Sequence, residues 1–417
     1  MRILRLTPAV EKRLLRARQH RDVGAERVAA RIVGDVRRRS DAALFAWTKK
    51  LDRVDLRSDG VWISRREMSE ATCSVSGEFL RAVMHAARNV ERVAKQQLPR
   101  EWTIEVEPGV RIGQMVRPIE AIGCYIPGGR YALISTLVMT AVPAKVAGVP
   151  RLIAVCPKPN AELLAAASVL GVTEIARIGG AQAIAGLAYG TESVPRVEKI
   201  FGPGNRFVTA AKQLVSSDCA IDLPAGPTEA VVLAARGDAR WIATDLLAQA
   251  EHAPDAGSFF VTTSKSMAQR VQAQVAEQLR RLPPTSPAHG STQRAGAILI
   301  APSVQAACEF VNRFAPEHLS LPDGAGALLK KCNAAGTVFL GPWAAQPLGD
   351  YASGSNHVLP TGGWAQRRGG LNASDFVKCI SVQSIGRKGF ARLADDVQTL
   401  ARAEGLAAHA HAVEVRR

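Results

Sequence analysis

The sequence predicts an α/β fold: two units with parallel-sheet cores, a helical N-terminal segment ahead of them and a helical C-terminal tail behind. Short apolar runs alternate with helical stretches twice over, from about residue 121 to 227 and again from 228 to 371. Strand, helix, strand in that order needs crossover connections, and hence parallel pairing. The chain, at 417 residues, also exceeds the roughly 100–200 residues that one core organises. With 47% hydrophobic and 22% charged residues and a mean hydropathy of +0.02, its composition is globular rather than disordered or fibrous.

Taken in order, residues 5 to about 100 read as successive helices within an entry segment, 1–120, with Ala25, Val28, Ala29, Ile32, Val33 and Val36 at helical spacing. Two strand-like stretches follow, 102–106 and 110–115, then Pro118 and the apolar run 121–126. The unit 121–227 should place strands at 151–156, 174–178 and 199–201, and helices at 160–170, 181–189 and 208–215. In the unit 228–371, strands are expected at 230–234, 258–263, 297–300 and 337–340, and helices at 239–252, 267–282 and 304–314. The stretch 283–291, rich in Pro, Ser and Thr, reads as a surface connection. After Gly363 the chain turns basic and helical, and 372–417 forms a tail.

Composition narrows the function classes. The seven cysteines are scattered, odd in number and never spaced C-x-x-C, which suggests neither a disulfide framework nor a cysteine metal cluster. Residues 1–40 hold no apolar run of signal-peptide or membrane-spanning length, so a cytoplasmic protein with no membrane partner is expected. The net charge of +16 raises nucleic-acid backbone as a partner. Much of that excess lies in Lys12, Arg13, Arg16, Arg18, Arg21, Arg27, Arg31, Arg37, Arg38 and Arg39, which recur without aromatic interleaving or a nucleic-acid motif. A solvated helical face is the reading this pattern favours, with a nucleic-acid arm as its rival.

Three turns combine glycine with a strand end: Tyr125-Ile-Pro-Gly-Gly-Arg130, Ile178-Gly-Gly-Ala-Gln182 and Phe201-Gly-Pro-Gly-Asn205. None is G-x-G-x-x-G, yet three within about 80 residues, each beside Tyr125, Gln182 or Asn205, point to a nucleotide crevice at strand ends. Histidines number eight, and several sit among polar groups. Gln249 and His252, three apart, would share a helix face and could bind one metal. Asp350 and His357 lie in a loop of glycines and short polar residues. A Gln, His, Asp and His set suits zinc and tolerates manganese or cobalt, although spacing alone cannot join residues so far apart. Glu317-His318 offers two groups of different basicity, one to take a proton near neutral pH and one to activate water, provided that a non-helical turn presents both.

Eight blocks in one order closely resemble histidinol dehydrogenases: Tyr125 to Arg130, Gly179 to Ile184, Gly202 to Asn205, Asp222 to Glu229, Gln249 to His252, Ala315 to Leu319, Gly349 to Pro360 and Glu404 to His409. The resemblance implies two incomplete Rossmann-like units in a homodimer whose C-terminal tails exchange, and oxidation of L-histidinol to L-histidine through a bound aldehyde. It implies one zinc per subunit held by Gln249, His252, Asp350 and His409, the last from the other subunit. Two NAD would be used per turnover, contacted by Tyr125, Gln182 and Asn205. Thr228, Gln249, His252, Glu317, His318, Asp350, His357, Glu404 and His409 would line the substrate, with His318 as base and Glu317 activating water. The chain departs from the family's usual residues at Thr228, often Ser; at Ala253, often Asp; and at Ile134, often Pro. Relatives of this kind oxidise other polar amino alcohols and diols, sulfonated ones included, with the same metal set. Glu404 suits a cationic substrate better than an anionic sulfonate, which would want an added arginine.

Overall fold

The computed structural model describes residues 1–18, 22–128, 133–223, 226–323 and 326–417. Arg21, the Gly129 to Arg130 end of the first glycine turn, and Pro224 and Ala225 of the fourth block lie outside the described residues. In chain order the strands are β1 (Arg2–Arg5), β2 (Trp102–Glu107), β3 (Val110–Pro118), β4 (Ala121–Tyr125), β5 (Arg151–Val155), β6 (Glu174–Ala176) and β7 (Lys199–Phe201). They continue with β8 (Ala220–Ile221), β9 (Glu229–Leu233), β10 (Gly257–Thr262), β11 (Gly296–Ile300), β12 (His318–Leu321), β13 (Thr337–Leu340) and β14 (Val377–Ile385).

The first unit is a parallel sheet in the order β6-β5-β4-β7-β8. Numbered within the unit, that order is 3-2-1-4-5, the Rossmann arrangement without its sixth strand. The second sheet, β1-β11-β10-β9-β12-β13, is also parallel and repeats 3-2-1-4-5 with β1 added at one edge. Apolar clusters cover both faces of each sheet, which is why strands such as β9 and β10 are buried at every residue and read as continuous apolar runs. The third sheet, β14-β3-β2, is antiparallel and largely exposed.

Several elements differ from the sequence expectation. The first residues are a strand rather than part of the helical entry: Leu4 pairs with Leu299, and Leu4, Leu6, Val10, Leu14 and Leu15 pack on the second unit's core. Strand β14 replaces helix in the segment after Gly363; Val377–Ile385 pairs antiparallel along the whole of β3. The stretch read as a surface connection runs at Ala288 into the helix Ala288–Arg294, in which Ala288, Ser291 and Thr292 are buried. The helix expected to reach His252 ends at Ala250, with Glu251 as its C-cap, so His252 lies beyond it. Of the predicted apolar face in the helix Val23–Asp52, Ala25, Ala29, Ile32, Val33 and Val36 are buried while Val28 is exposed.

The basic N-terminal run is mostly solvated, as its pattern suggests, and part of it is occupied within the chain. Arg31 and Arg37 lie over the rings of Trp47 and Tyr189, Arg39 is bidentate to Asp35, and Arg18 is paired with Glu229.

Candidate active site

Two sequence-distant segments meet at the amino edge of the second sheet. The helix Val304–Phe314 stops at Ala315, whose left-handed φ of 47° turns the chain into Pro316 and Glu317. His318 is then the first residue of β12, aligned with Ala230 of β9. This turn is the non-helical presentation that the Glu317-His318 pair needs, and both side chains are buried.

Glu317 is held from one side by the segment entering β9. Its Oε2 accepts from the Thr228 hydroxyl and, at 3.0 Å, from the Glu229 backbone N–H. The Thr228 oxygen in turn accepts from Gln249 Nε2 at 2.8 Å. Gln249, fully buried in the last turn of the helix Ala239–Ala250, uses its Oε1 to accept from Gln346 Nε2 at 2.6 Å. Gln346 also stands 3.3 Å from His318 Nδ1. His318 Nε2 lies 3.7 Å from Asp350 Oδ1 and, among the described residues, is buried without a hydrogen-bond partner. Asp350 is on the helix Gln346–Tyr351, and its backbone oxygen is 2.7 Å from His357 Nδ1. The segment from Asp350 to His357 is docked on the entry segment and the first unit, where Asn89 Nδ2 donates to Ala352 O at 2.8 Å and Asn356 Nδ2 to Met139 O at 2.7 Å.

Electrostatics sort these groups. Burial raises the Glu317 carboxyl above its ordinary value, against the lowering effect of His318 and its two hydrogen bonds, so it becomes a stronger base than a solvated carboxylate. For His318, burial works downward, but the Glu317 and Asp350 carboxylates prevail and raise it. Burial would raise Asp350, yet His318, His357 and His252 hold it below the usual range. His357 is lowered, chiefly by burial. A carboxylate kept ionised among three imidazoles, beside an imidazole nitrogen with nothing to bond, is a site prepared for a polar, partly cationic ligand.

The structure therefore brings Thr228, Gln249, Glu317, His318, Asp350 and His357 together, with His252 near enough to act on the charges of Glu317 and Asp350. It does not bring Glu404 or His409 to them. Those two are exposed at the C-terminal end, between and on the paired helices Arg387–Ala403 and Ala407–Glu414. Among the described residues, no three His, Cys, Asp or Glu side chains form a metal-binding group within the single chain. The donor types fit zinc, since Gln249, His252 and Asp350 supply oxygen and nitrogen around one charged centre, but one chain leaves that set a ligand short.

At the first sheet, Tyr125 ends β4 and the Gly202 to Asn205 turn follows β7, so the two flank the reversal of strand order where such sheets bind nucleotides. Gly202 has φ +108°, and a Cβ there would lie 2.2 Å from Tyr125 O. Asp222, paired with buried Lys212, accepts from the Gly202 N–H at 2.7 Å and fixes the turn. The Tyr125 hydroxyl accepts from Gly180 N at 3.1 Å, and Asn205 caps the helix Arg206–Val215. Gln182 is turned inward: it is fully buried, donates to Asp52 at 2.8 Å, and its Oε1 has no partner among the described residues. Two helix N-termini, at Gly180 and Arg206, and the glycine turn thus meet at this edge, where their backbone N–H groups could approach a phosphate.

Sequence reasoning missed three residues that build the site. Gln346 bridges Gln249 and His318, and nothing in its local pattern marks it. Glu229 carries the N–H bound by Glu317, and its one signal is a charge at the head of the apolar run Glu229–Leu233. Arg18, which neutralises Glu229, is hidden within a basic run.

A family model described as histidinol dehydrogenase matches residues 15–417. The chain is 43% identical over 404 residues to the histidinol dehydrogenase of Methanosarcina mazei, covering 95% of this chain and 92% of that protein. It is 41% identical over 394 residues to that of Aquifex aeolicus, covering 94% and 92%. The crystal structure of histidinol dehydrogenase from Elizabethkingia anophelis superposes with a TM-score of 0.93 at 35% identity, covering all of this chain and 98% of that one.

Proposed function

Because the chain belongs to the histidinol dehydrogenase family, NAD-linked oxidoreductases that oxidise histidinol in histidine biosynthesis, we propose that it takes L-histidinol to L-histidine through a bound aldehyde, with zinc as its metal. The observation that carries the chemistry is the buried Glu317-His318 pair, a carboxylate of raised basicity beside an imidazole whose Nε2 is unbonded. His318 takes the hydroxyl proton as the carbinol carbon gives its hydride to NAD. Glu317, steadied by Thr228 and the Glu229 N–H, takes a proton from water as the water oxygen adds to the aldehyde carbon. His318, having released its first proton to solvent, then takes the remaining hydroxyl proton of the hydrate anion as the carbon gives a second hydride to a second NAD. One alcohol, two NAD and one water thus give one carboxylate, two NADH and three protons.

Gln249, His252 and Asp350 would hold zinc together with His409 of the partner subunit; when bound, the metal supplies a positive centre for the imidazole and amino nitrogens of the substrate. Tyr125, Gln182 and Asn205 would meet NAD, Gln182 only after release from Asp52. His357 and Glu404 complete the substrate's surroundings, Glu404 across the dimer. A cytoplasmic setting belongs to the same reading; among the described residues no helix is long and apolar enough to cross a membrane.

The test is NADH formation by zinc-loaded protein with L-histidinol. Two NADH per histidinol, lost on chelation and regained with zinc, is the expected result. Turnover confined to another polar amino alcohol or diol would keep the chemistry and replace the substrate, and full activity after exhaustive chelation would remove the metal.

A further inference from the structure

Arg18 ends the helix Pro8–Arg18, far in sequence from the site, yet its side chain is tucked beneath it and only 11% exposed. Its Nε donates to Glu229 Oε2 at 2.7 Å and its Nη2 to Glu229 Oε1, a bidentate pair. The same guanidinium donates to Phe314 O and, at 3.4 Å, to Ala315 O, and it lies 3.7 Å from the centroid of the Phe314 ring. Glu229 Oε1 also accepts from Gly362 N at 3.1 Å, just past the segment that carries Asp350 and His357.

These contacts converge on Glu317 from two directions. Phe314 and Ala315 form the left-handed exit that launches Glu317, and Glu229 supplies the N–H that Glu317 accepts. One guanidinium thus braces both the chain bearing the Glu317 carboxylate and the chain to which that carboxylate is bound. We propose that Arg18 and Glu229 are a positioning pair that fixes the orientation of the Glu317 carboxylate for its work on water.

A buried ion pair contributes little net stability compared with apolar residues of similar volume, so its stability alone gives no reason for it to lie here. Burial pushes the Glu229 carboxyl up to about 7 even with Arg18 against it, and the neighbouring Glu317 adds to that rise. Losing the guanidinium would set two adjacent buried carboxylates against each other. Neither Arg18 nor Glu229 needs to touch a reactant.

The proposal rests on the role given to Glu317 above, and the experiment separates the two. Full-length, zinc-loaded protein is assayed on histidinol and separately on the corresponding amino aldehyde, as wild type, Glu317→Gln, Arg18→Lys and the double variant Arg18→Met with Glu229→Gln. Lysine keeps a cation but cannot reach the carboxylate and both carbonyls at once. Arg18→Lys should slow aldehyde-to-acid conversion about tenfold while alcohol oxidation stays within about threefold, copying the selectivity of Glu317→Gln. The double variant, which carries no unpaired charge, should be folded and show the same selectivity; its thermal unfolding monitors the fold, and Arg18→Lys carries the question if it does not fold. Arg18→Lys at wild-type rates, or slowed equally in both conversions while Glu317→Gln is selective, overturns the positioning pair. If Glu317→Gln slows both equally, it is the Glu317 role that fails, and an Arg18→Lys profile unlike that of Glu317→Gln still overturns the pair.

Discussion

Glu317 and His318 are neighbours in the chain and both are buried, yet they answer to different partners. Burial alone lowers an imidazole, so the upward shift of His318 depends on the carboxylates of Glu317 and Asp350. In Glu317→Gln one of them is gone and the pKa of His318 falls. The acid limb of kcat/KM for alcohol oxidation should then move to lower pH, while aldehyde-to-acid conversion slows by about 10²-fold or more. A limb that stays in place or moves upward would show that Glu317 does not set the base. Thr228 offers a second test, since its hydroxyl gives to Glu317 and receives from Gln249. Thr228→Ser keeps both bonds and should be near neutral, whereas Thr228→Val leaves two buried groups short of a partner and should lower stability by about 1–3 kcal/mol in denaturant titration. Equal stability of the two variants would mean that solvent reaches these groups. The residues legible in the sequence were those with distinctive chemistry in distinctive runs, Glu317-His318 and Asp350 to His357 above all. Gln346 and Arg18 were not, because their roles come from contacts across 28 and 211 residues that no local pattern encodes.

Among elements, the legible ones were those whose apolar period or continuous burial is long enough to read. The helices near 161–169 and 304–314 and the strands at 151–155 and 337–340 fall close to expectation, because each buries a face that its own residues announce. Strands β1 and β12 owe their form to sheet neighbours far off in the chain, Leu4 opposite Leu299 and His318 opposite Ala230. The turn after β7 shows what a motif can and cannot say: glycine is visible, its reason is not. Gly202 combines φ +108° with a would-be Cβ at 2.2 Å from Tyr125 O. Gly202→Ala must therefore move the turn away from β4, at a cost of about 1–3 kcal/mol or more. NAD affinity should fall sharply in a binding titration while zinc content is unchanged, because the proposed metal donors Gln249, His252 and Asp350 belong to the second unit. Lost zinc with intact NAD binding would contradict the division of labour between the sheets.

For the molecule as a whole, the geometry of one chain leaves the proposed metal set one ligand short. His409 is exposed, and the two terminal helices pack on each other beyond an outlying antiparallel sheet rather than on the catalytic edge. Exposed Ile380, Val382, Ile385, Leu400 and Leu406 line that same C-terminal part, as expected of a segment that packs elsewhere. If the missing ligand comes from the other copy, defects in His252 and His409 should complement each other across a dimer. A dimer of one His409→Asn chain and one His252→Asn chain has one site with both faults and one with neither. Random reassortment makes half the dimers mixed, so inactive stocks that have been unfolded and refolded together should regain about a quarter of wild-type activity, with zinc content rising in step. Each stock refolded alone should stay inactive. If His409 instead served its own chain, every site in every dimer would carry one fault, and no mixture would regain activity.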